Sequence, residues 1–153
     1  MTVHQPSSAA SRRPRVNAGR LWAGGAATAV VAALVAVVGI LVARGVFGVP
    51  VLAPEGDGAW GDADTWTYAA CSALAALLAT GLVHFLLTTT PNPFRFFTWI
   101  VTLATFAAVI APFAVSRSSS SVATALINLA IGITIGSLLS GVARSAMEVA
   151  RRP

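Results

Sequence analysis

The chain has 153 residues, of which 56% are hydrophobic and only 10% are charged, and its formal net charge is +5. A soluble domain has about 25% charged residues, so this composition excludes a protein whose whole surface meets water and indicates one covered largely by lipid. All ten basic residues are arginines that lie at the ends of apolar runs, where they indicate membrane orientation rather than nucleic-acid binding.

Residues 1–20 are polar and carry four arginines without an acidic residue, which predicts a disordered, basic cytoplasmic tail. The first apolar run, 21–43, covers about 35 Å as a helix, enough for a hydrocarbon core of about 30 Å. A cleaved signal peptide has a shorter apolar core, so we predict an uncleaved helix. Small residues at every fourth position predict close packing of this helix on another: Gly24, Thr28, Ala32 and Ala36.

The segment 44–65 is the one long connection, and its glycines and prolines exclude a regular helix over most of its length. It holds four of the five acidic residues: Glu55, Asp57, Asp62 and Asp64. We predict a solvated outer loop. Cation binding through the aspartates is the alternative, although their spacing does not match an EF-hand.

Three further apolar runs follow, and each is long enough to cross a bilayer: 66–87, 94–115 and 122–143. The turns between them are short, so these three helices are predicted to form an antiparallel series, whereas the position of the first helix stays open. Pro112 predicts a kink or an end in the third helix. The fold class is therefore an all-α bundle of four transmembrane helices, with a helical domain over 21–145 and a short basic tail at 146–153.

Polar and aromatic residues mark the ends of these runs. Asn92 followed by Pro93 is a start signal for the third helix, Asp64 or Thr65 can cap the second, and Ser121 can cap the fourth. Aromatic side chains are typical of membrane boundaries. Those at the predicted outer boundary are Trp60, Trp66 and Tyr68, and those at the inner boundary are Phe94, Phe96, Phe97 and Trp99.

The last run carries a small-residue ridge in which Asn128, Gly132, Gly136 and Ser140 recur at every fourth position. Membrane helices approach each other closely along such ridges, either within one chain or between subunits, and both remain open here. Asn128 needs a hydrogen-bond partner in hydrocarbon. The threonine face of the third helix, which includes Thr98 and Thr102, is a candidate for that partner.

His84 is an ionisable side chain inside an apolar run. We favour an interfacial histidine that is hydrogen-bonded to a threonine or to backbone, and a proton-relay or ligand role is the alternative. Thr80, His84, Thr98, Thr102 and Asn128 together form a candidate polar path. A metal site would need at least two more ligands near His84, and the lone Cys71 excludes a cysteine cluster, so we expect no metal and no cofactor.

Orientation follows from the arginines. With the N terminus in the cytoplasm, eight of the ten arginines lie inside, and the outer connections hold only Arg44 and Arg117. The positive-inside rule therefore predicts that both termini are cytoplasmic in a multi-pass protein of the plasma membrane.

The chain also resembles an actinobacterial domain-of-unknown-function family of small four-helix integral membrane proteins. The resemblance rests on RLWAGG at the first helix, ARGVFGVPVLAPEGDGAWGDADT in the outer loop and INLAIGITIGSLLSGVA in the last helix. It covers about residues 20–145. It implies the membrane fold and assigns no chemistry.

These observations favour a non-catalytic accessory or interaction subunit whose partners are the lipid bilayer and another membrane protein or a second copy. The sequence shows no nucleophile–base–acid set and no carboxylate inside a membrane run, which counts against an enzyme and against ion-coupled transport. The alternative is a small channel or transporter protomer that uses the polar path. Nucleic-acid binding is not expected.

Overall fold

A computed structural model describes residues 17–49, 51, 63–115 and 119–148. Most of both predicted tails, Arg117 and the acidic residues Glu55, Asp57 and Asp62 lie outside these residues. The described part contains four α-helices: α1 (Ala18–Gly45), α2 (Ala63–Thr89), α3 (Pro93–Val115) and α4 (Ser119–Glu148). All four are long and apolar enough to cross a membrane, so the all-α class with four membrane-length helices is confirmed.

The helices extend up to five residues beyond the apolar runs, since a helix that has crossed the hydrocarbon can continue into the polar boundary. At the start of α1, the side chain of Asn17 accepts a hydrogen bond from the backbone N–H of Arg20 at 3.1 Å. This cap satisfies one of the free donors of the first turn. Pro93 is the first residue of α3, as the Asn92–Pro93 pair predicts.

Two predicted caps are wrong because their helices begin earlier in the chain. α2 starts at Ala63, so Asp64 and Thr65 lie inside it, and α4 starts at Ser119, so Ser121 is its third residue. Ser121 is buried, and its hydroxyl donates to the carbonyl of Pro112 on α3 at 3.4 Å. The hydroxyl therefore joins two helices.

α1 packs on both α2 and α4, and α3 packs mainly on α4. Within the described residues α1 and α3 do not touch, and α2 and α4 each contact both of them. Gly24, near the start of α1, lies against Val142, near the end of α4. Gly39, later in α1, lies against Ile127, which comes earlier in α4. The two helices are therefore antiparallel, and the position of α1, which the sequence left open, is beside α2 and α4.

Small side chains form the contact surface of α1. Ala32 and Ala36 are completely buried, and a Cβ at Gly25 would overlap the side chain of Thr80 on α2. Leu21 and Ile40 are also buried, but many other large apolar side chains point outward, among them Leu34 and Leu41 on α1 and Trp99, Leu103 and Phe106 on α3. Because lipid gives no hydrophobic drive between helices, close packing of small residues takes its place.

Candidate functional site

A cleft of about 820 Å³ lies between the first half of α2 and the second half of α3, with α4 as its back wall. Small side chains face each other across it, so neither helix fills the space: Ala75 and Ala79 on α2, and Ala104, Ala108 and Ala111 on α3. Ile131 and Ile135 of α4 contribute to the back wall. The cleft is largely apolar, within the volume range of about 300–1,000 Å³ that is usual for small-molecule sites.

Pro112 creates an unpaired backbone group in this cleft. Proline has no backbone N–H, so it cannot donate to the carbonyl four residues earlier, which is that of Ala108. In hydrocarbon such a carbonyl must find another donor. Asn128 of α4 supplies it, because its side-chain Nδ2 donates to the Ala108 oxygen at 2.7 Å.

Tyr68 completes the arrangement from α2. Its hydroxyl donates to Oδ1 of Asn128, so one asparagine side chain links α2, α3 and α4. The sequence placed Tyr68 among the boundary aromatics and paired Asn128 with the threonines of α3. That pairing is wrong, because the partners of Asn128 are a backbone carbonyl and a tyrosine.

The electrostatic character of the cleft is neutral. Among the described residues, no arginine, lysine, histidine, aspartate or glutamate lines it. The hydroxyls of Ser72 and Thr124 donate to carbonyls of their own helices, those of Tyr68 and Ser120, both at 2.8 Å. The strongest polar feature is therefore the carboxamide of Asn128 with the hydroxyl of Tyr68.

The ridge of α4 contacts α3 within the chain. A Cβ at Gly132 would overlap the side chain of Thr105, and a Cβ at Gly136 would lie 3.3 Å from Cγ1 of Val101. Ser140 is half-buried and donates to the carbonyl of Gly136 at 2.7 Å. Gly132 is thus the position of closest approach, and it borders the cleft.

The corresponding stripe of α1 also makes contacts within the chain. A Cβ at Gly24 would overlap the side chain of Val142. Thr28 is buried, and its hydroxyl donates to the carbonyl of Gly24 at 2.8 Å. The glycines that the sequence identified on both helices are therefore positions where another helix of the same chain comes close.

The five residues of the candidate polar path lie in different places. Thr80 is buried against Gly25 in the contact of α1 with α2, whereas Asn128 lines the cleft. Thr98 and Thr102 are exposed on α3. The structure does not bring these residues together.

His84 lies half-buried on α2, away from the residues that line the cleft. Within the described part of the chain its Nδ1 is buried and has no hydrogen-bond partner. The hydroxyl of Thr88 donates to the backbone carbonyls of His84 and Phe85, at 3.3 Å and 2.8 Å, and not to the imidazole.

The sequence matches no curated protein and no solved structure. A model of a family of unknown function matches residues 16–145, which include α1, α2, α3 and nearly all of α4. The match therefore covers the cleft and every residue of the hydrogen-bonded group around Asn128. The chain belongs to this family of unknown function, DUF6069.

Proposed function

We propose that this protein is a non-catalytic membrane protein that acts as an accessory or interaction subunit. The observation that carries the proposal is the outward face of α3. This helix packs mainly on α4 and is the least buried of the four membrane-length helices. Large apolar side chains, each between 39% and 62% exposed, follow one another along it: Phe96, Trp99, Leu103, Phe106, Ile110 and Phe113.

The spacing of these side chains alternates between three and four residues, which is the spacing of a helix that packs along another helix. Aromatic side chains bury large areas and dominate the energetics of many interfaces. The small-residue ridges of α1 and α4 already contact helices of the same chain. The outward face of α3 is therefore the surface that we assign to a partner helix.

The polar groups of the cleft favour binding over chemistry. Asn128 and Tyr68 bond to each other and to a helix carbonyl, and Ser72 bonds to its own helix. Cys71 also lines the cleft, but among the described residues no histidine, aspartate or glutamate lines it to act as the base that a catalytic nucleophile needs.

Affinity purification from native membranes in a mild detergent tests the proposal. We expect a stoichiometric membrane partner that is lost from the triple variant Leu103→Ala, Phe106→Ala and Ile110→Ala. The matched control replaces three exposed side chains of α1, Leu34→Ala, Val38→Ala and Leu41→Ala, and should keep the partner. A chain that purifies alone from native membranes, with both variants behaving like the parent, would contradict the assignment.

Within this proposal we place the protein in the plasma membrane with both termini in the cytoplasm. Arg20, Arg95 and Arg144 lie at the bundle end that holds the start of α1 and the turn between α2 and α3, and Arg44 lies at the opposite end. The guanidinium of Arg144 lies 5.7 Å from the ring centre of Phe94, which suits an anchor at the membrane boundary. A reporter fused at Gly58 should lie outside the cytoplasm. A reporter that proved to be cytoplasmic would contradict the proposed orientation.

A further inference from the structure

We propose that the cleft between α2 and α3 binds an uncharged lipid, a hydrocarbon chain that ends in a hydroxyl or carbonyl group. The polar end of the lipid bonds to Asn128 and Tyr68, and its chain runs toward the middle of the bundle. This ligand site goes beyond the proposed interaction through the outward face of α3, because it lies on the other side of that helix.

The dimensions of the cleft fit one leaflet of the bilayer. From Tyr68 to Ala79 the α2 wall covers about 16 Å at 1.5 Å per residue. Half of a hydrocarbon core of about 30 Å is about 15 Å. Tyr68 lies near the start of the membrane-length segment of α2, which begins at Thr65, and Ala79 lies near its middle. The cleft therefore runs from one membrane boundary to about the bilayer centre.

Polarity changes along this length in the way an amphiphilic ligand requires. The boundary end holds Tyr68, Asn128 and Thr124, whereas the deep end holds Ala79, Val101 and Ile135. A molecule with a polar group at one end and a chain at the other would match both ends. A plain hydrocarbon would leave the polar end without a partner.

The hydrogen-bonding groups have capacity left for a ligand. A carboxamide offers two N–H donors and two acceptor positions, and a phenol oxygen can both donate and accept. Asn128 uses one donor on Ala108 and one acceptor position on Tyr68, and the oxygen of Tyr68 can still accept. A hydroxyl can bond to both residues, and a carbonyl oxygen can accept from the second N–H of Asn128.

The charge of the cleft decides the class of lipid. Because no arginine, lysine or histidine lines the described cleft, an anionic head group would lose its water without gaining a cation. An ionised lipid is therefore disfavoured inside the cleft, and a neutral hydroxyl or carbonyl is favoured.

The test uses the full chain reconstituted in phosphatidylcholine vesicles with hexadecanol that carries a diazirine toward the methyl end of its chain. After illumination, mass spectrometry should find the label on residues of the deep cleft, such as Ala79 and Val101. Excess unlabelled hexadecanol should compete for these positions. Label spread evenly over the outward faces of the four helices would overturn the proposal.

Two pairs of variants keep the test independent of folding. Ala75→Phe fills the cleft from α2, and its control Ala70→Phe places the same ring on an exposed position of α2 outside the cleft. Ala104→Phe fills the cleft from α3, with Ala107→Phe as control. We expect loss of deep-cleft label in the two filling variants and retention in the controls. Equal labelling of a well-folded filling variant and its control would overturn the site.

Two further measurements test the head group. Tyr68→Phe should lower deep-cleft labelling by hexadecanol about five-fold, the factor expected for one lost hydrogen bond. Hexadecanoate with the same diazirine should label the cleft less than the alcohol does. Unchanged labelling in Tyr68→Phe, or stronger labelling by the carboxylate, would refute the neutral, hydrogen-bonded head group. Recovery of a membrane partner tests the outward face of α3, and labelling of the deep cleft tests the lipid site. The two measurements are independent, so either proposal can fail without affecting the other.

Discussion

α2 has a neighbouring helix on each of two sides, α1 and α3, and small residues lie in both contacts. The first contact is tightly packed, whereas the second leaves a cleft. Toward α1 the side chain of Thr80 occupies the space that Gly25 leaves, and the two helices pack tightly. Toward α3 the alanines of one helix face the alanines of the other, and a cleft remains. Small residues thus bring helices together where a larger side chain fills the space opposite them. Where small side chains face each other between less closely packed helices, they leave a cavity.

The largest effect is expected from Gly25→Leu. Even a Cβ at this position would overlap Thr80, so a leucine must push α1 away from α2. Overpacking of a well-packed contact costs about 1–3 kcal/mol, occasionally more, and we expect the upper end here. The readout is the unfolding free energy in detergent, followed by tryptophan fluorescence.

Gly81→Leu is the matched control on the other helix of the pair, since nothing lies within 4 Å of a Cβ at Gly81. It should unfold nearly as the parent does. An equal loss of unfolding free energy in Gly25→Leu and Gly81→Leu would contradict the close contact of Gly25 on α1 with Thr80 on α2.

The second effect concerns the ridge of α4. Gly132→Leu should destabilise the protein more than Gly136→Leu, because a Cβ at Gly132 overlaps Thr105 whereas one at Gly136 lies 3.3 Å from Val101. We expect about 2–3 kcal/mol for the first and about 1 kcal/mol for the second. The measurement is the unfolding free energy of each variant in detergent. A reversed order would indicate that the approach of α3 to α4 is centred on Gly136.

The four helices could be predicted from sequence because every apolar run exceeds the bilayer thickness and lacks acidic residues. The helix ends could not, since a helix such as α4 continues through polar residues to Glu148. The contact surface of α1 was visible in its small residues. Its neighbours were not, because the long connection after Gly45 permits several positions.

The partner of Asn128 was missed for a different reason. A sequence pattern gives neither the rotation of α3 nor its register against α4, so the threonine face was as plausible as any other. One signal was nevertheless present. Pro112 removes the donor for the carbonyl of Ala108, and Asn128 is the amide on the neighbouring helix that can replace it. The proline therefore identifies a carbonyl that needs a donor, and Asn128 is a candidate for that donor once the register of α3 against α4 is known.

That pairing gives a third prediction, in the form of a double-mutant cycle. Asn128→Leu leaves the Ala108 carbonyl without a donor, and we expect a loss of about 1–2 kcal/mol. Pro112→Ala alone restores the helix hydrogen bond and competes with Asn128 for the carbonyl. The double variant should be more stable than Asn128→Leu, because the restored N–H then satisfies Ala108. Strict additivity of the two changes in unfolding free energy would show that Pro112 and Asn128 are not coupled.

The smallest effect is expected from Thr80→Val, which tests whether the shape of the Thr80 side chain or its hydroxyl holds α1 against α2. The hydroxyl of Thr80 donates to the carbonyl of Ala76 in its own helix, at 2.8 Å, so it adds no bond to α1. Thr80→Val keeps the shape that fills the space at Gly25 and should change the unfolding free energy by less than about 0.5 kcal/mol. Thr80→Ala removes that shape and should cost about 1 kcal/mol through the cavity it opens. If valine proved as costly as alanine, the hydroxyl and not the filled space would hold α1, and the contrast with the open α3 side would need another cause.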